Sequence, residues 1–284
     1  MKIHDTVTEF IKDYKPTTLY LNEYFASNQI HFDEYFKYHC LNKNEKLQEA
    51  INKHLAKLDD MAEICGKMSE LIREIASTYE NLYSVQFTED VHLLVGLFGS
   101  NAYTYRQYIP EVAFCLEKLS PQIDHLRTII AHEFGHVTHN LISIQEGIEW
   151  SSVDWMSPYT WLLQEGIATY FSTRVVSVRN DVYFIFEDDI DWLQFCEENK
   201  HLILKHFTQD LKKNPNNEIF KEWFSIRGGE TFGKARLAYY IGYCFVTSLI
   251  EKFGVTYAIT LWKERDFKQI VLDELETMII NSKG

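Results

Sequence analysis

Five consecutive residues, His132-Glu133-Phe134-Gly135-His136, constrain this chain more than any other feature. They read H-E-x-x-H, a pattern that carries meaning only on a helix. Residues four apart on an α-helix share a face, roughly 6 Å apart along the axis. His132 and His136 can then aim two imidazoles at one point, with Glu133 standing beside them. The flanks favour such a helix. Ser120-Pro121 offers an N-cap and a first-turn proline, and Asp124 follows where a carboxylate suits the helix dipole. Ile123, Leu126, Ile130, Phe134, Val137 and Leu141 then recur at helical spacing as one apolar stripe. His125, His132, His136 and His139 fall roughly opposite. The expectation is a packed apolar side and imidazoles facing a cleft.

Two imidazoles so placed are candidate metal ligands, and a protein metal centre needs a third. Glu165 is the best candidate. It lies in Trp161-Leu162-Leu163-Gln164-Glu165-Gly166-Ile167-Ala168-Thr169-Tyr170-Phe171, two turns into a second helix expected to start at Ser157-Pro158. Gly166 costs about 1 kcal/mol in a helix interior relative to alanine. Room for two helices that share one ion is a physical reason for Gly166 and Ala168. His139 is the rival ligand. It sits seven residues from His132, about 10 Å along the axis, too far for one ion to join all three from a straight helix. A supporting or rim position suits it better. The longer signature H-E-x-x-H-x-x-G-x-x-H fails, because Ile142 stands where its last histidine belongs.

The two segments together resemble the gluzincin metallopeptidases, in which two helices give zinc two histidines and a glutamate. Trp161 to Phe171 is similar to the W-L-N-E-G-F-A signature of zinc aminopeptidases. It is closer still to W-L-x-E-G-L-A segments of small bacterial predicted zinc-dependent proteases. The resemblance implies Zn²⁺ on His132, His136 and Glu165, Glu133 as general base, and a peptide or protein substrate. Two departures weigh against an aminopeptidase. Twenty-eight residues separate His136 from Glu165, a longer interval than in that family, and no G-x-M-E-N segment lies upstream. Downstream, Arg236-x-x-Tyr239-Tyr240-Ile241-Gly242-Tyr243 is similar to a segment of the same bacterial proteins. By that likeness a tyrosine there faces the developing oxyanion, with Tyr239 favoured over Tyr240 and core packing the alternative for each. The short strand expected at Val112-Ala113-Phe114-Cys115-Leu116 resembles the edge strand on which gluzincins lay a peptide backbone. Two other functions fit these residues: a zinc hydrolase for a non-peptide amide or ester, and a peptide-binding protein that keeps the fold without turnover.

The remaining sequence bounds the setting. Residues 1–82 read as a helical N-terminal region and 83–284 as the catalytic domain. Leu47, Ile51, Leu55, Leu58, Met61, Cys65, Met68, Ile72 and Ile75 predict one or two long helices over 44–82, bent or divided at Gly66. Residues 91–98 are a strand candidate. The expected fold is α+β, mostly helical and gluzincin-like, with a small sheet beside the active-site helix. A net charge of −13 disfavours nucleic acid and anionic membrane surfaces as partners. Five cysteines without a C-x-x-C pair, and no signal-type leader, point to the cytoplasm. The longest apolar run, 238–250, is too short to span a bilayer. Two motifs are discounted. Gly228 to Lys234 fits G-x-x-x-x-G-K, yet Ala235 replaces the hydroxyl that would hold magnesium. The acidic run 187–191 lacks the pattern of a calcium loop. Oligomeric state leaves no signature.

Overall fold

A computed structural model describes residues 1–282. The chain forms two compact units, Met1–Glu133 and Phe134–Gly284, and the boundary falls inside one continuous helix.

The first unit contains β1 (Ile3–Asp5), α1 (Val7–Asp13), α2 (Thr18–Ser27), α3 (Gln29–Glu34), α4 (Lys43–Leu55) and α5 (Leu58–Tyr83). Three further strands follow, β2 (Val91–Leu94), β3 (Ala102–Thr104) and β4 (Val112–Cys115), and then α6 (Ile123–Gln145) begins. The long helices form where the apolar stripe predicts, and Met61, Ile64, Met68, Ile72, Ile75 and Tyr79 of α5 are buried at three- and four-residue spacing. The break differs from expectation. It lies at Ala56 and Lys57, and α5 runs straight through Gly66.

The sheet has the order β1-β2-β4-β3. β1 and β4 both run parallel to β2, while β3 is antiparallel to β4. Every residue of β2 and β4 is buried, as suits central strands covered on both faces. This corrects the edge-strand expectation for 112–116. β4 is paired on both sides, the edges are β1 and β3, and Leu116 already belongs to a 3₁₀ turn. The expected strand at 91–98 is likewise shorter: after Leu94 the chain leaves the sheet. Residues 95–99 are held by buried side chains instead, with Val95 N donating to Tyr24 Oη, Leu97 N and Gly99 N to Tyr35 Oη, and Phe98 N to Glu117.

The second unit is helical. After the rest of α6 come α7 (Pro158–Val175), α8 (Val182–Ile185), α9 (Ile190–Glu198) and α10 (Lys200–Lys213). Then follow α11 (Asn216–Ile219), α12 (Leu237–Phe253), α13 (Val255–Thr260) and α14 (Phe267–Asn281). The molecule is thus mostly helical with one small sheet, an α+β composition. Among the described residues no helix is long and apolar enough to cross a membrane.

The two discounted motifs have structural uses. Asp189 caps α9 by accepting from Trp192 N, and Asp188 pairs with Arg179 at 2.9 Å. In the glycine-rich loop, Glu230 N and Thr231 N donate to the Glu222 carboxylate, which stands where a bound phosphate would need those donors.

Candidate metal centre

Helix α6 carries His132, Glu133 and His136 on consecutive turns, and α7 carries Glu165. The α7 start is the expected one: Ser157 is the N-cap with extended backbone and Pro158 occupies the first turn, which puts Glu165 two turns inside. One ligand atom from each of His132, His136 and Glu165 lies within 4.8 Å of the others, and no other His, Cys, Asp or Glu trio among the described residues does so. His136 Nε2 is 3.6 Å from Glu165 Oε2. Two donors each about 2.0–2.1 Å from one tetrahedral zinc stand roughly 3.4 Å apart, so this donor set fits such an ion. Burial is graded: His132 and Glu133 are 2 % and 7 % exposed, whereas the side chains of His136 and Glu165 are 14 % and 21 % exposed.

The back of α6 is anchored. Tyr79 of α5 donates its hydroxyl to Ala131 O at 2.7 Å, in the residue before His132. One turn past His136, His139 is fully buried. Its ring stacks on Trp262 with centroids 4.0 Å apart and planes 9° apart, and Nε2 donates to Ile259 O at 2.8 Å. Burial pushes its pKa down to about 3, so it stays a neutral Nε2–H donor. His139 is therefore neither a ligand nor a rim residue but a helix anchor. Trp262 Nε1 also donates to Ser143 Oγ, and Lys263 Nζ to Glu146 O, which ties the rest of α6 to the segment after α13.

Gly166 does make room for a helix, but for α12. A Cβ built on Gly166 would lie 2.3 Å from Gly242 O and 2.9 Å from Val246 Cγ2. One built on Gly242 would lie 2.8 Å from Leu162 O. The two glycines face each other and let α7 and α12 approach backbone to backbone. Gly242 is the residue missed in the sequence reading. Its signal was an isolated glycine inside an apolar helical run.

The candidate tyrosines part ways. Tyr240 is buried, meets Phe184 edge-on at 5.7 Å, and has its hydroxyl pKa raised, first by burial and then by Cys244. Two residues along a helix is about 200° of rotation, so Tyr240 lies on the side of α12 away from Gly242 and α7. Tyr239 is about 60° from Gly242 on the near side. It is half-buried, with the Arg236 guanidinium 4.1 Å above its ring. At the end of β4, Cys115 is fully buried and its thiol pKa is held well above the usual value by burial, with Glu117 and, more weakly, Glu133 adding to the shift.

One protein-family model matches the chain, over residues 83–271, and its description reads "Putative zinc dependent peptidase (DUF5700)". The chain belongs to this family. Searches of curated proteins and of solved structures found no match. The matched segment contains β2 to β4, both site helices and α12. The family description names zinc, in keeping with a donor set of two imidazoles and one carboxylate.

Proposed function

We propose that this protein is a gluzincin-type zinc peptidase, carried by residues 83–284, whose metal ligands are His132, His136 and Glu165. The observation that carries the reading is the convergence of these three side chains from two helices, with Glu133 beside them on α6. A zinc ion held there supplies Lewis acidity, which lowers the pKa of a water and polarises a carbonyl. The chain's own residues do the rest. Glu133 takes a proton from the attacking water and returns it to the leaving nitrogen of the peptide. Its low exposure keeps bulk water from competing for that proton. Tyr239 is the oxyanion donor in this scheme, and Tyr240 is set aside because it faces the opposite side of α12. The partly exposed side of His136 and Glu165 is where a peptide or protein substrate enters.

Glu133→Gln tests the assignment. The amide cannot accept the proton, so turnover of a peptide library should fall by about 10²–10⁴ while zinc content stays at the wild-type level. Full activity in that variant would refute the base. Zinc-loaded wild type that binds peptides tightly and cleaves none would instead favour the non-catalytic reading, and cleavage confined to small amides or esters would favour the other hydrolase.

A further inference from the structure

The first unit holds a second cluster of histidines. It is independent of the candidate metal centre and has no part in the proposed reaction. The sheet register creates it: His4 of β1 pairs with His92 of β2, and His92 with Ala113 of β4. His4 and His92 therefore project from one face, their ring centroids 5.1 Å apart and planes 8° apart. His31 of α3 closes the group, 4.9 Å from each. Two carboxylates bracket it. His4 Nε2 meets Asp90 Oδ2 at 2.7 Å, and His92 Nε2 meets Glu111 Oε2 at 2.5 Å. The central contact is His31 Nδ1 to His92 Nδ1 at 2.9 Å.

That contact has a definite proton count. A hydrogen bond between two ring nitrogens holds one proton, so one imidazole must present a bare Nδ1. His92 Nε2 faces a carboxylate and so carries hydrogen. With both rings neutral, His92 is the Nε2–H tautomer with a bare Nδ1, and His31 must be the Nδ1–H tautomer that donates to it. One added proton is tolerated: His92 becomes a cation, Glu111 compensates it, and its new Nδ1–H donates to a bare Nδ1 on His31. A second added proton leaves two N–H groups facing each other and two like charges at contact distance.

We propose that His31 and His92 form an acid-released clasp that holds α3 on the sheet at neutral pH and lets go when both rings are protonated. The groups facing the pair set the direction. From β1 and the residue before it, His4 and Lys2 oppose further positive charge; from the residue before β2, Asp90 favours it; from the turn ahead of β4, Glu111 favours it on His92. From β3's end, Tyr105 stacks on His92 with centroids 5.3 Å apart and gives its hydroxyl to His31 O. On α3 itself, the Glu34 carboxylate accepts from Arg106 N. Burial is the largest influence on both His31 and His92 and lowers both. The folded pair therefore binds protons less readily than the unfolded chain, and stability is lost as pH falls below the ordinary histidine value near about 6.5.

Two measurements on the full chain test the clasp. Long-range ¹H–¹⁵N spectra of the imidazoles at pH 7.5 should show His31 as the Nδ1–H tautomer and His92 as the Nε2–H tautomer. Both rings in the Nε2–H form, or both titrating independently at the ordinary value, would overturn the proposal. Hydrogen exchange, corrected for intrinsic pH dependence, should show the segment spanning α3 losing about tenfold or more of its protection between pH 7 and pH 5, while α5 keeps its own. In His31→Phe that acid step should vanish. An α3 whose protection is flat across this range in wild type, or an acid step that survives in His31→Phe, would also sink it.

Discussion

Gly166→Ala gives the sharpest test of how the second unit is built. The new methyl carbon would sit 2.3 Å from Gly242 O, 2.5 Å from Gly242 C and 2.9 Å from Val246 Cγ2. Ordinary carbon contacts lie near 3.5–4.0 Å, so α7 and α12 must separate by about 1 Å. The obstructing atoms are mainly helix backbone, which cannot swing aside as a side chain can. With helix backbone as the obstacle, overpacking falls in the upper part of its usual range, about 2–3 kcal/mol, against roughly 1 kcal/mol gained because alanine is the better helix former. The net expectation is a loss of about 1–2 kcal/mol, or a few degrees in Tm for a chain of this size. Equilibrium urea denaturation measures it. Gly242→Ala should act in the same direction, and the double variant should cost less than the sum, because either methyl alone already forces the helices apart. Glu165, the proposed third ligand, adjoins Gly166, so on that reading the same variant should weaken zinc retention in competition with a chelator. A Gly166→Ala protein as stable as wild type, or strictly additive single variants, would show that close helix approach is not what these glycines provide.

Three further outcomes follow from the same geometry. Gly66→Ala is the converse case: a Cβ there meets nothing within 4 Å inside α5, so thermal denaturation should register a gain of up to about 1 kcal/mol. Glu117 is fully buried and its pKa is pushed up to about 7, chiefly by burial. A raised folded value means its stabilising contribution is present in full below the unfolded value near 4.5 and lost as pH rises through about 7, on the order of 3 kcal/mol in all. Stability curves between pH 5 and 8 should therefore lose part of their downward slope in Glu117→Gln, and an unchanged slope would contradict the burial argument. His139→Phe keeps the stack on Trp262 but strands Ile259 O without its donor, a cost of about 1–3 kcal/mol by chemical denaturation.

How much of this was legible in the sequence depends on whether the information was local. The start of α7 announces itself through Ser157-Pro158, whereas α6 begins at Ile123, two residues after the expected Ser120-Pro121 start; helix period alone then puts His132, Glu133 and His136 on adjoining turns and Glu165 two turns into its helix. Pairing partners are a different matter. β1 and β3 are three residues each, too short to show a period, and without them β4 reads as an edge when it is a centre. Gly166 announced a close approach but not its partner, since a missing side chain shows that something comes near without saying what. His139 looked like a supporting or rim residue of a cleft because the apolar stripe lay opposite. Trp262, 123 residues on, covers it, and no local pattern encodes that.

Within the second unit the supports of the candidate site sit within about two helical turns of the residues they position. His139 and Ser143 fix α6 just beyond His136, while Leu162 and Gly166 fix α7 on either side of Glu165. These anchors are a buried stack, neutral hydrogen bonds and a backbone contact, none of which changes charge near neutral pH. His136 Nε2 and Glu165 Oε2 stand 3.6 Å apart, a spacing that a shared ion would fill. On the proposed reading, anchors of this type hold the two donors at that spacing, so the preorganisation of His136 and Glu165 would reside in the backs of their helices. By the same logic the proposed function puts the two faces of α7 under separate demands: substitutions on the Glu165 side should act on chemistry, and substitutions on the Gly166 side should act on it only by way of packing against α12.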